Sequence, residues 1–279
     1  VHTIAWDPVS AVKGEYKHFM QKEIFEQPRA LIDTLGGRVN FETGGVELPE
    51  MKLTPELVAR IDKLFIVACG TSYYAGLVGK YLIETLARLP VEVAYASEFR
   101  TYNPIVDERT AVLTITQSGE TADTLAAAEQ ARGQGATLWA IVNAIGSQSM
   151  RLSDGAIPMH AGPEIGVAST KAFTTQLAGL YLLTLALAQV RGRLSDVQEA
   201  AELKALRHLP VETIGSHFGG IPRSLPAPQI PPISTELLLA LLPASLSFTL
   251  LGGIESLLSA KIADAMTGRK HRYNMELVA

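Results

Sequence analysis

The 279-residue chain contains one cysteine, Cys69, so no internal disulfide and no multi-thiolate metal site can form within it. Its six histidines have no metal-ligand spacing, and no metal is expected. A lone thiol fits a reducing compartment, which predicts a cytoplasmic protein. Charge is also scarce, at 19% of residues, with a net charge of −4 and a pI near 5.9. Mild acidity of this kind argues against nucleic acid as a partner, since a backbone binder needs a concentrated basic face. The short cluster Arg269-Lys270-His271-Arg272 reads as a solvated face. No basic stretch followed by an apolar one opens the chain, so no signal peptide is predicted. The absent initiator methionine suggests a piece of something longer.

What is present is a change of pattern along the chain. Residues 18–39 carry apolar side chains at helical spacing, with Pro28 expected to divide them into two helices. Residues 48–53 read as an extended connector, and Thr54-Pro55-Glu56 as a helix start with Thr54 as N-cap. From Lys63 onward, apolar strands alternate with helices. Strands are predicted at 64–68, 91–96, 111–115, 137–143 and 154–160, with helices at 73–89, after Thr121 to about Gly133, and at 169–190. Strands buried on both faces with intervening helices imply an α/β sandwich of three layers around a five-stranded parallel sheet.

Two hydroxyl-rich turns follow predicted strands: Cys69-Gly70-Thr71-Ser72 and Thr116-Gln117-Ser118-Gly119-Glu120-Thr121. In an open α/β sheet, ligands sit beyond the carboxyl ends of the strands. Backbone N–H groups at a helix start attract an anion there. Neither turn has a nucleotide-loop pattern, and neutral donors suit a compact sugar phosphate better than a triphosphate with its magnesium. For one such turn alone, helix capping by Ser118 or Thr121 would be explanation enough. A second turn, and a third Ser/Thr group at Ser169-Thr170, favour a ligand site. Cys69 reads as a small packed residue rather than a nucleophile, and His160 as structural.

Four motifs carry a family resemblance: Val67-Ala68-Cys69-Gly70-Thr71-Ser72, Ala96-Ser97-Glu98-Phe99-Arg100, Gln117-Ser118-Gly119-Glu120-Thr121-Ala122-Asp123-Thr124-Leu125 and Glu164-Ile165-Gly166-Val167-Ala168-Ser169-Thr170-Lys171. Together with Tyr16-Lys17-His18-Phe19-Met20 upstream, they resemble the glutamine–fructose-6-phosphate aminotransferases (isomerizing) over residues 1–210. The resemblance implies an interdomain linker with helices at 1–52 and a sugar isomerase (SIS) domain, the first lobe of the isomerase half, at 53–208. It implies phosphate contacts from Thr116, Gln117, Ser118 and Thr121, and sugar contacts from Thr71, Ser72, Val167 and Ser169. Where the family usually has serine, this chain has Thr116, which retains a hydroxyl. The implied ligand is fructose 6-phosphate or glucosamine 6-phosphate, with no metal or organic cofactor, in a homodimeric parent enzyme. The glutaminase nucleophile and the second lobe with its acid–base residues are absent from these 279 residues, so the chain is expected to be silent alone. A sugar-phosphate-sensing regulator is the alternative within the SIS class, and no helix-turn-helix is recognised to support it.

The tail differs. After a Pro/Gly-rich stretch at 219–232, residues 237–254 run for eighteen positions without a charge, the lower edge of membrane-spanning length. A buried core helix is the competing explanation. Leu251-Gly252-Gly253-Ile254-Glu255-Ser256 and Ala263-Asp264-Ala265-Met266-Thr267-Gly268 resemble the SulP sulfate/bicarbonate permeases, which implies a membrane fragment at 211–279. Glu255 and Ser259 match positions lining the transported-ion site in some members of that family, and 237–260 is the expected membrane contact. An ionisable residue inside a membrane helix is costly, which singles out Glu255. Two partial modules meeting near Leu209-Pro210 suggest a chimeric reading frame.

Overall fold

The computed structural model describes residues 12–40, 45–194, 198 and 201–202. The chain divides into two compact units, Val1–Gly219 and Gly220–Ala279, and every described residue belongs to the first. The sequence pattern predicts a break at Pro28, yet α1 (Phe19–Leu35) runs through it as one helix. Proline removes the N–H that would donate to the carbonyl four residues back, here that of Ile24. The Gln27 side chain supplies the missing donor, Nε2 to Ile24 O at 3.1 Å.

Beyond α1 lies a short antiparallel pair, β1 (Val39–Asn40) and β2 (Gly45–Val46). The expected connector contains a single 3-10 turn, Pro49–Met51. The next helix, α2 (Pro55–Arg60), starts as its sequence predicts: the Thr54 hydroxyl accepts from Leu57 N at 3.2 Å.

The alternating half then unfolds in order. It comprises β3 (Lys63–Ala68), α3 (Thr71–Leu82) with a π turn at Ile83–Ala87, β4 (Val91–Tyr95), α4 (Ala96–Tyr102), β5 (Thr110–Thr116), α5 (Ala122–Gly133), β6 (Thr137–Val142), α6 (Gln148–Leu152), β7 (Gly155–Pro158) and α7 (Lys171–Val190). The five predicted strands are all present. Helices α4 and α6, with seven and five residues, are too short to show a helical period and were not legible. The sheet order is β4-β3-β5-β6-β7, every neighbouring pair parallel.

Period-two alternation sorts the strand side chains between two covering layers. Leu64 and Ile66, Leu113 and Ile115, and Trp139 and Ile141 pack on one face with Leu180, Leu183 and Leu187 of α7. Phe65, Val67, Val112 and Leu138 fill the other face beneath Phe99 of α4 and the alanines 127, 128 and 131 of α5. The Phe65 and Phe99 rings meet edge to face at 5.5 Å.

By length and composition α7 could cross a membrane, with twenty residues and a mean hydropathy of 1.4, but 67% of its apolar eighteen-residue window is buried within the protein. Its packing explains its composition. The sheet and α3 cover one side, α1 packs along another, and a helix apolar all round is a core helix. Its buried hydroxyls are satisfied locally: Thr184 Oγ1 donates to Leu180 O at 2.7 Å and Thr175 Oγ1 to Lys171 O at 2.9 Å.

Gly155 begins β7 against the backbone of the 3-10 turn, and a Cβ there would lie 2.6 Å from Met51 O and 2.8 Å from Met51 Cα. Backbone atoms cannot yield as a side chain can, so Gly155→Ala is expected to cost about 1–3 kcal/mol. Urea unfolding should show a lower midpoint with an unchanged slope; an unchanged midpoint would contradict this packing.

Candidate functional site

Counted within the sheet alone, the strand order is 2-1-3-4-5, and its topological switch point falls between β3 and β5. The two hydroxyl-rich turns leave the sheet at that point. One connects Ala68 to α3 and the other Thr116 to α5, from the same edge of neighbouring parallel strands. Two helix N-termini therefore open side by side over the crevice, with their free N–H groups and positive dipole ends.

The 116–121 loop is held from within and from below. Thr116 is 4% exposed. Its Oγ1 accepts from Gly119 N at 3.1 Å and stands 3.5 Å from Thr121 Oγ1, while Ser118 Oγ accepts from Glu120 N at 3.2 Å. Underneath, Gln117 O accepts from Ala144 N at 3.1 Å and Gly119 O from Ser149 N at 3.0 Å. The one carboxylate in the loop, Glu120, accepts from Gln148 N at 2.7 Å. Gly119 has φ +69°, and a Cβ on it would fall 2.0 Å from Ser147 Oγ, so the position admits only glycine. The result is a rigid turn of neutral donors.

In the first turn, Thr71 is exposed and Ser72 is buried. Ser72 Oγ accepts from Gln176 Nε2 of α7 at 2.9 Å, which leaves the serine proton for another acceptor. Gln176 Oε1 is buried with no partner among the described residues. This bond is how the third group reaches the first: the 161–170 loop follows β7, two strands away from β5, and α7 carries the chain back against α3. Glu164 closes that loop. Its carboxylate accepts from Thr170 N at 2.8 Å, Ala172 N at 3.2 Å and Ser169 Oγ at 3.4 Å. Val167 at the crest is fully exposed.

Thr71, Ser72, Thr116, Gln117, Ser118 and Thr121 thus stand at or just beyond the carboxyl ends of the neighbouring strands β3 and β5, Ser169 is tied to the start of α7 through Glu164, and Val167 is exposed. Gln176, a polar residue inside an apolar helical run, was the signal for the Ser72 partner, and its meaning needed the fold. Cys69 packs against the Phe65 cluster with Sγ 3.7 Å from Thr124 Oγ1. His160, at φ 53°, lies beside a cavity of about 660 Å³ lined also by Tyr16, Glu26, Asn143, Gly162 and Lys171; none of the eight candidate residues borders it. Partial desolvation, then the nearby Arg38 charge, lowers the His160 pKa. Among the described residues, no group of three or more His, Cys, Asp or Glu could hold a metal ion.

A doubly wound sheet of this order with hydroxyl loops at its switch point is the architecture of a SIS domain, and the SIS domain family model matches residues 57–186. The chain carries a SIS domain. Among curated proteins, it is similar to the glutamine–fructose-6-phosphate aminotransferase [isomerizing] of Caldanaerobacter subterraneus subsp. tengcongensis, at 50% identity over 207 residues, 74% of this chain and 34% of that enzyme. The enzyme of the same name from Symbiobacterium thermophilum is 50% identical over 210 residues, 75% of this chain and 34% of its own length. Among solved structures, the C-terminal domain of glucosamine-fructose-6-phosphate aminotransferase from Francisella tularensis superposes with a TM-score of 0.67 at 42% identity, covering 71% of this chain and 56% of that one. The chain spans about a third of the length of the curated relatives it matches, and its SIS region is homologous to part of their isomerase portion.

The Sulfate permease family model matches residues 172–279. The two matches overlap at 172–186, inside α7. There Leu180, Leu182, Leu183 and Leu185 are fully buried in the SIS core, so structurally this helix belongs to the SIS domain. Glu255, Ser259 and the 237–260 stretch lie outside the described residues.

Replacing Gly119 tests the loop geometry directly. Gly119→Ala forces a side chain into a left-handed position already filled by Ser147. Amide exchange at Gly119 and Glu120 is expected to quicken by about tenfold or more while the global melt remains cooperative. Unaltered exchange would show that the loop tolerates a side chain there.

Proposed function

We propose that residues 53–208 act as the first SIS lobe of a glutamine–fructose-6-phosphate aminotransferase and bind a hexose 6-phosphate, fructose 6-phosphate or glucosamine 6-phosphate. The observation that carries this reading is the pairing of two hydroxyl-rich turns, each opening a helix, at the β3/β5 switch point. Thr116, Gln117, Ser118 and Thr121 hold the phosphate, with backbone N–H groups and the α5 dipole offsetting its charge. Thr71, Ser72, Val167 and Ser169 face the sugar. Ser72 donates to a sugar oxygen, since it accepts from Gln176 and keeps its own proton. The parent reaction converts fructose 6-phosphate and glutamine to glucosamine 6-phosphate and glutamate without a metal or organic cofactor. The 279 residues supply the cradle and not the groups that move protons between C1 and C2, so binding occurs without turnover. A cytoplasmic location and a homodimer follow from the same parentage.

Calorimetric titration of the full chain with fructose 6-phosphate should saturate. Thr116→Ala and Ser118→Ala should each weaken binding by about tenfold or more, the loss expected for a hydrogen bond to a charged group. Unchanged affinity in both variants removes the site. Glucosamine 6-phosphate appearing from purified chain supplied with ammonia removes the claim of silence.

The permease match favours a second reading of the tail. In it, residues 211–279 are a fragment of a SulP-type transporter joined near Leu209-Pro210 in a chimeric reading frame, with Glu255 and Ser259 from an anion-transport site and 237–260 in contact with a membrane. The expressed full chain should then sediment with membranes and be released by detergent rather than by salt. Recovery in the soluble fraction counts against insertion, and an unbroken read of one native DNA molecule across codons 200–225 counts against an assembly artefact.

A further inference from the structure

We propose that Glu23 of α1 is a positioning residue for the sugar-contacting loop, an inference that rests on the sugar-phosphate reading above and adds a part to that site. Glu23 is 2% exposed, an unusual burial for a carboxylate. Its charge is met by two consecutive backbone amides 142 and 143 residues away. Ile165 N donates to Oε1 at 2.6 Å, and Gly166 N to Oε1 at 3.0 Å and to Oε2 at 3.1 Å. Bonds of this kind to an ionised acceptor are among the strongest a protein makes, and a buried carboxylate requires them. The approach is so close that a Cβ on Gly166 would lie 2.5 Å from Glu23 Oε2. Glycine at 166 is therefore the other half of the contact.

The clamp acts on the residue before Val167 and three positions before Ser169. The same helix holds the far side of the loop: Glu26 Oε2 accepts from the buried Lys171 Nζ at 2.7 Å, and Gln27 Oε1 from Thr174 Oγ1 at 2.6 Å. Between these anchors the crest carrying Val167 has no burial of its own. Besides the closure by Glu164 within the loop, the crest is thus tied to α1, a helix that lies upstream of the SIS-matched residues 57–186. Glu23 touches no ligand. It fixes where the sugar contacts stand, while the phosphate loop is held by Ala144, Gln148 and Ser149, independently of α1. Gln at this position would keep the shape, but its NH₂ group would face a donor where the second oxygen now accepts.

That independence supplies the test. In the full chain, Glu23→Gln is expected to weaken fructose 6-phosphate by about tenfold, the loss of one hydrogen bond's worth of ordering. Inorganic phosphate, which needs only the 116–121 loop, should change by less than about twofold in the same calorimetric series, well under one such bond. Gly166→Ala, which leaves the carboxylate intact but blocks its approach, should reproduce the split. Amide exchange at Ile165 and Gly166 should quicken by about tenfold or more in both variants without ligand. Equal losses for both ligands, an unchanged ratio, or unchanged exchange at those amides would overturn the assignment. If wild-type chain binds neither ligand, the sugar-phosphate reading falls, and the exchange rates alone decide whether Glu23 holds the loop.

Discussion

Burial of α7 between the sheet and α1 is the constraint on which the rest of the described structure depends. The helix closes one face of the β3–β5–β6 core with Leu180, Leu183 and Leu187, and its outer side gives α1 something to pack against. Its first two turns also carry polar side chains, of which Lys171, Thr174 and Gln176 bond Glu26, Gln27 and Ser72. A single helix thus joins the apolar core to the crevice. Moving it would shift the Ser72 hydroxyl and the 161–170 loop together.

The chemistry of the crevice follows from what its loops are made of. A phosphate held by lysines would be bound strongly wherever its charge could reach. Hydroxyls and backbone amides at two helix starts must instead be aimed, because each is worth little unless its geometry is right. The 116–121 loop is held in such a fixed geometry by its own bonds, through Thr116, Ser118 and the residues after β6. Charge is used in the same way at Glu23 and Glu164, where carboxylates order backbone amides.

Much of this was legible before the fold was known. Apolar runs at 64–68, 111–115 and 137–143, alternating with helical segments, read as strands buried on both faces, and β3, β5 and β6 of the parallel sheet stand there. The Thr54-Pro55 helix start also stands as its residues predict. Pro28 was not legible in the same way, because the side chain that repairs its lost hydrogen bond is its own neighbour Gln27. Helices α4 and α6 escaped because five to seven residues cannot display a period. The apolar composition of α7 was legible, but composition is shared by core and membrane helices, and only its burial decides between them.

By itself the sequence determined the local and the periodic: which runs become strands, where helices start, and which turns carry hydroxyls at strand ends. Those properties arise from side-chain alternation, capping and φ preferences that act within a few residues. Only the tertiary structure decided that β3 and β5 are neighbours, so that two turns 45 positions apart, at Thr71 and Thr116, open over one crevice. Only it decided that Glu23 meets Ile165 and Gly166 and that Gln176 meets Ser72. The burial of one helix brings these groups together, and no local pattern encodes which buried donor a distant carboxylate will find.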